Sequence, residues 1–149
     1  MKVLRTIGGL KKFLRANKAC GTGFVPTMGA LHEGHISLIK RSVKENKMTV
    51  VSIFVNPAQF GPGEDFRKYP RTEKGDISKC RASGADAVFM PGSKHMYPQG
   101  FNTHIEVEEL DRYLCGASRP GHFRGVATVV AKLFNIVGPC RAYFGKKDF

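Results

Sequence analysis

The stretch Phe24-Val-Pro-Thr-Met-Gly-Ala-Leu-His-Glu-Gly-His35 decides how the rest of the chain is read. Phe24 to Met28 is short and mostly apolar, the pattern of a buried strand. Gly29 to Gly34 reads as a loop. From His35 to about Asn46 the spacing predicts a helix, with Ile36, Leu38, Ile39 and Val43 on its inner side. The unit is therefore strand, loop, helix.

The same alternation continues outward. Upstream, Thr6 is placed to cap a helix running to about Asn17, with Ile7, Leu10, Phe13 and Leu14 as its apolar stripe. Downstream, Thr49 to Val55 is β-branched and apolar on both faces, as a central parallel strand must be. A Pro- and Gly-rich loop, Asn56 to Tyr69, follows. Glu73 to Ser83 predicts a helix, Ala87 to Met90 a strand, His104 to Val107 another strand, His122 to Ile136 a helix and Ala142 to Phe144 a last strand. Strands alternating with helices predict an α/β fold, a Rossmann-like parallel sheet with right-handed crossovers and helices on both faces. In such a sheet ligands sit at the carboxyl ends of the strands, which directs attention to the loops that follow them.

At 149 residues, 42% of them hydrophobic, the chain is expected to form one domain over residues 1–149. The longest apolar runs fall short of a membrane span, and the N-terminus lacks a secretory apolar stretch. A cytoplasmic protein with no membrane partner is expected. Cys20, Cys80, Cys115 and Cys140 are scattered without a metal-binding spacing, so they read as reduced packing thiols. The net charge of +12 admits either a polyanion partner or a site for phosphates and carboxylates. Lys11, Lys12, Arg15 and Lys18, and again Lys40, Arg41, Lys44 and Lys47, have the spacing of solvated helix faces. They are not interleaved with aromatics, which argues against a nucleic-acid partner.

The chemistry belongs to the loop. Gly29 and Gly34 let backbone approach a ligand closely, and a helix N-terminus offers N–H groups and positive potential to phosphate. His32 and His35, three apart across the helix start, can direct two imidazoles at the same phosphates. Rival motifs fail on spacing. A zincin needs a histidine where Ile36 stands, no Walker A run occurs, and Gly21-Thr-Gly23 precedes the strand rather than following it.

His-x-Gly-His after the first strand of an α/β domain resembles the signature of the nucleotidylyl-transferase superfamily. The flanks narrow it. Phe24 to His35, Ile53-Phe-Val-Asn-Pro-Ala-Gln-Phe60, Tyr69-Pro-Arg-Thr72, Arg119-Pro-Gly-His-Phe-Arg-Gly-Val126 and Phe144-Gly-Lys-Lys-Asp-Phe149, in this order and spacing, resemble the pantothenate synthetase family of pantoate–β-alanine ligases. The resemblance spans essentially the whole chain and implies the N-terminal nucleotide-binding domain of a two-domain enzyme. It implies ATP-dependent condensation of pantoate with β-alanine through a pantoyl adenylate, giving pantothenate, AMP and pyrophosphate. ATP, pantoate and β-alanine are the implied small-molecule substrates, Mg2+ accompanies ATP, and the family is commonly homodimeric.

Attack of an ionised carboxylate on the α-phosphorus needs no general base, so catalysis rests on positioning and charge neutralisation. The resemblance makes His35 the principal catalytic histidine, with His32 and Lys147 also at the phosphates. It places ATP against Met28, Gly29, Ala30, Leu31, His32, Glu33, Gly34 and His35, and against Gly145, Lys146, Lys147 and Asp148. Gln59 is implied at pantoate and β-alanine. Asn56 lies beside it at a strand end, and its amide suits hydroxyls and a carboxylate. Arg119 and His122, before the long helix, are candidates for a carboxylate or phosphate, with helix capping as the alternative. Asp76 is the candidate carboxylate for Mg2+, although the first turn of a helix favours an acid in any case. The loop from Gly61 to Tyr69 reads either as a flap or as plain surface.

The family pattern continues past the Phe-Gly-x-Lys-Asp segment with two glutamines and a smaller C-terminal domain, neither of which is in this chain. The expectation is weak nucleotide binding with much reduced turnover. Two other functions compete with this one: a sibling nucleotidylyl transferase with another acceptor, and a non-catalytic RNA-binding module suggested by the charge.

Overall fold

The computed structural model describes residues 1–17, 21–61, 66–107 and 119–146. Its elements are β1 (Lys2–Leu4), α1 (Ile7–Ala16), β2 (Thr22–Thr27), α2 (Glu33–Glu45), β3 (Met48–Ile53), a 3-10 turn (Pro57–Gln59), α3 (Glu73–Ala82), β4 (Ala87–Phe89), α4 (Ser93–Met96), α5 (His122–Val137) and β5 (Arg141–Ala142). The strands form one sheet in the order β1-β4-β3-β2-β5, every pair parallel. The expected α/β class and parallel sheet are what is found.

Residue parity builds the two faces. Phe24, Val50, Ala87 and Phe89 point to one side, where Leu10 and Leu14 of α1 and Val129, Leu133 and Val137 of α5 cover them. Val25, Val51, Ile53 and Val88 point to the other, against Ile36 and Ile39 of α2 and Cys80 of α3. A strand buried on both faces carries no polar alternation, which is why β3 is mostly apolar on both sides. Thr49, its one polar residue on the α2 side, is buried but shares a 2.8 Å hydrogen bond with Ser42. The Thr6 cap is present, its hydroxyl accepting from Gly9 N at 3.1 Å.

Three expectations change. β1 was not foreseen, because three residues are too few for a periodic signal. The single turn α4 was missed for the same reason. His104 to Val107 is not a strand: Ile105 and Val107 are 42% and 43% exposed, and the Ile105 amide donates instead to Thr128 Oγ1 of α5. A β-like composition without a sheet edge to receive it stays irregular.

Connectivity places the crevice. From β2 the chain winds outward to β3 and β4, then returns through α5 to lay β5 on the other side of β2. The order reverses between β2 and β5, so the loops after those strands diverge there. Pro26 helps to open the gap. Tyr143 N donates to Phe24 O from the β5 side, and β5 pairs no further along β2 than Phe24. Two residues on, Pro26 turns the same way, so its missing N–H costs no ladder bond.

Candidate active site

The Met28 to His35 loop leaves β2 at this crevice. Thr27 Oγ1 donates to Ser52 O and accepts from Gly29 N, turning the chain at the strand's end. Gly29 has φ 87°, a conformation that glycine adopts without strain, and Ala30 follows at φ 50°. An alanine in the left-handed region must be held there. Asp76 holds it. Its two carboxylate oxygens accept from Ala30 N at 2.9 Å and Leu31 N at 2.8 Å, and Thr72 Oγ1 donates at 3.1 Å. Lys79, one turn along α3, donates to Leu31 O at 2.5 Å. The first turn of α3 is thus a clamp on the loop.

The histidines form the N-terminus of α2. His32 is the N-cap: its Nδ1 accepts from Gly34 N at 3.1 Å, while His35 Nδ1 accepts from His32 N at 3.3 Å. This is a capping box made of two imidazoles, ring centroids 4.1 Å apart. A backbone N–H can only donate, so both Nδ1 atoms are acceptors. In the neutral ring the proton then lies on Nε2 in each case. A Cβ at Gly34 would lie 2.9 Å from the His32 ring, so a side chain there would push that ring aside.

After β3, at the neighbouring strand end, the 3-10 turn carries Gln59. Asn56 caps the turn, its Oδ1 accepting from Ala58 N at 3.3 Å. Tyr97 donates to the same oxygen at 2.7 Å, and the Asn56 NH2 donates to Gln59 Oε1 at 3.2 Å and Gly125 O at 3.1 Å. Gln59 Nε2 reaches Met28 Sδ at 2.9 Å, which joins this turn to the histidine loop. His122, at the start of α5, has Nδ1 2.9 Å from Gln59 O. A carbonyl only accepts, so this ring carries its proton on Nδ1.

The structure therefore brings together Met28, the two-histidine loop, Asn56, Gln59 and His122, from two adjacent carboxyl ends and one helix start. Their roles are not all those expected. Both Asn56 acceptor positions and both its donors are committed to Ala58, Tyr97, Gln59 and Gly125, so it supports the site from beneath. His122 ties α5 to the 3-10 turn. Asp76 is 1% exposed and committed to loop amides rather than open to an ion. Among the described residues no group of three His, Cys, Asp or Glu is gathered for a metal. Arg119 is half-buried, its carbonyl accepting from His122 N. Gly145 and Lys146 follow β5, with Lys146 exposed. Lys147 and Asp148 lie outside the described residues.

Tyr97, Thr72, Lys79 and Gly125 were missed. Tyr97 stands 41 residues from its partner Asn56, and no local spacing announces such a contact. Gly125 had a weak signal, a glycine inside a helix. A Cβ there would lie 2.2 Å from Ala58 O, so glycine lets α5 press directly on the turn.

Known proteins resemble this chain in sequence and fold. The family model described as pantoate-beta-alanine ligase matches residues 2–149. A pantothenate synthetase of Acetivibrio thermocellus is 57% identical over 99% of this chain and 53% of its own length. The crystal structure of pantoate-beta-alanine (pantothenate synthetase) from Thermus thermophilus superposes with a TM-score of 0.94 at 52% identity, covering 99% of this chain and 53% of that one. The Francisella tularensis pantoate-beta-alanine ligase, solved with beta-gamma ATP and beta-alanine, gives 0.88 at 44% identity over 93% and 54%. The chain spans about half the length of the curated relatives it matches. Among the described residues no helix is long and apolar enough to cross a membrane. With the family model covering nearly every residue, this chain belongs to the pantoate-beta-alanine ligase family.

Proposed function

We propose that this chain binds ATP at the two-histidine loop and supports the joining of pantoate to β-alanine. A pantoate carboxylate oxygen attacks the α-phosphorus, the bond to pyrophosphate breaks, and pantoyl adenylate forms. The β-alanine amine then attacks the acyl carbon, loses a proton and expels AMP. The observation that carries this reading is the double-imidazole cap. With both Nδ1 atoms engaged by backbone, the other polar position of each neutral ring is an Nε2–H donor at a helix N-terminus. Two such donors stabilise charge moving onto the phosphate oxygens without a proton changing hands. Lys147 and Asp148, by their place after β5, belong to the same site in this reading.

Mg2+ enters as part of the MgATP substrate, chelated by phosphates, which need few protein ligands. The Asp76 carboxylate does not fit as its ligand, since both oxygens already accept loop amides. Homodimeric assembly and a cytoplasmic setting complete the reading; sedimentation and cell fractionation check them.

The deciding experiment is ATP–pyrophosphate exchange, on this chain and on a chimaera continued with the C-terminal half of the Acetivibrio thermocellus protein. Pantoate-dependent exchange by the chimaera, with slower turnover by the 149 residues alone, is the expected result. Exchange that ignores pantoate would show a nucleotidylyl transferase with a different acceptor.

A further inference from the structure

Asn56 is the rare amide whose orientation is settled by main chain on both sides. Its Oδ1 faces Ala58 N–H, which can only donate, and its Nδ2 faces Gly125 C=O, which can only accept. Polarity then propagates. Tyr97 O–H must be a donor to Oδ1, and the Gln59 atom opposite Asn56 Nδ2 must be the carbonyl Oε1. The Gln59 NH2 is forced to the far side, toward Met28.

We propose that Asn56 is a positioning residue that holds the Gln59 amide NH2-outward, with Tyr97 keeping Asn56 in place, so that Gln59 meets its ligand as a hydrogen-bond donor. The NH2 carries two hydrogens, and the Met28 sulfur, a weak acceptor, takes one. The second is offered to a ligand oxygen. This device selects a carboxylate or a hydroxyl lone pair and rejects a donor such as an ammonium; that the oxygen is pantoate's rests on the function proposed above. Tyr97 is well placed for constancy. Its ring packs on Phe54 and Phe101, with centroids 6.3 and 5.1 Å away, and the Lys132 ammonium lies 5.6 Å from its face. Burial pushes its hydroxyl up to about 12, so the proton it donates stays in place at ordinary pH. Gln59 is 7% exposed, so a reversed amide would leave Asn56 Nδ2 facing another donor in a dry place.

The test reads the amide directly. Gln59 and Gln99 are the chain's two glutamines, so the Gln59 side-chain NH2 resonances are assigned by their loss in Gln59→Glu. In the wild-type chain, nuclear Overhauser contacts from this NH2 to the Met28 methyl are expected. Tyr97→Phe should weaken those contacts and lower pantoate affinity about three- to tenfold, with ATP affinity within about twofold. Asn56→Asp, an acceptor on both oxygens, should turn the Gln59 NH2 inward, abolish the Met28 contacts and lower pantoate affinity about a hundredfold. A general packing role for Tyr97 would instead lower ATP and pantoate affinity together and leave the amide contacts unchanged. That result, or Asn56→Asp binding pantoate like wild type, overturns the proposal. If Asn56→Asp does not fold, the Tyr97→Phe spectra decide. If wild type binds ATP but no pantoate, the functional reading falls, and the amide contacts alone decide the orientation.

Discussion

His32 and His35 commit one ring nitrogen each to the main chain, which divides each imidazole into a structural and a chemical half. The halves can be separated by substitution. Asparagine reproduces Nδ1 with its Oδ1 and is as good an N-cap as any residue, but it has nothing at the Nε2 position. His32→Asn is therefore expected to unfold within about 0.5 kcal/mol of wild type in urea while ATP affinity falls at least about tenfold. Equal losses in both titrations would mean that the ring only caps. Asp76 shows the opposite division, all structure. Asp76→Asn replaces one acceptor oxygen with an NH2 that faces a backbone N–H, so a loss of about 1–3 kcal/mol is expected, with weaker ATP binding as Ala30 relaxes from φ 50°. Chemical denaturation and ATP titration check both, and retained stability would remove the clamp. The two histidines and their spacing were legible as sequence; the carboxylate beneath them was legible only as an acid in a helix's first turn. Asp76 sits 46 residues from the Ala30 amide it accepts from, and nothing in its own neighbourhood tells a metal ligand from a backbone anchor.

Between elements, the contact that matters most is α5 on the 3-10 turn. Gly125, Asn56 and His122 make it: glycine removes the side chain, Asn56 bonds the exposed carbonyl, and His122 bonds Gln59 O. Gly125→Ala puts a methyl carbon 2.2 Å from Ala58 O and 2.7 Å from Gln59 Cα, backbone that cannot swing aside. The helix must retreat. A cost of about 1–3 kcal/mol is expected from the overpacking, and pantoate affinity should fall more than ATP affinity because the 3-10 turn moves while the histidine loop does not. Thermal unfolding and paired titrations measure it, and equal effects on the two ligands would argue against this division of the site. The elements themselves were mostly readable, since α1, α2 and α5 carry helical apolar stripes and β3 is mostly apolar on both faces, as a central strand is. His104 to Val107 misled because β-branched composition describes a willingness to pair, while pairing needs a partner edge.

At the scale of the molecule, two apolar clusters share a single sheet, and every central strand contributes alternate residues to both. Neither cluster can dissolve without exposing the back of the other. A single cooperative unfolding transition is expected, with far-ultraviolet dichroism and tyrosine fluorescence coinciding, the chain having no tryptophan. Transitions that separate by probe would show the two faces melting independently. The α/β class, the family and the strand-to-helix loop on which the site is built were legible in the chain, because these rest on local periodicity, turn chemistry and ordered motifs that neighbouring residues carry together. The tertiary structure alone decided that the chain doubles back between β2 and β5, that Asp76 grips the loop, and that Tyr97 reaches Gln59 through Asn56. Those facts depend on which distant segments the sheet order makes neighbours, and a hydrogen bond across 41 or 46 residues leaves no period in the chain to be read.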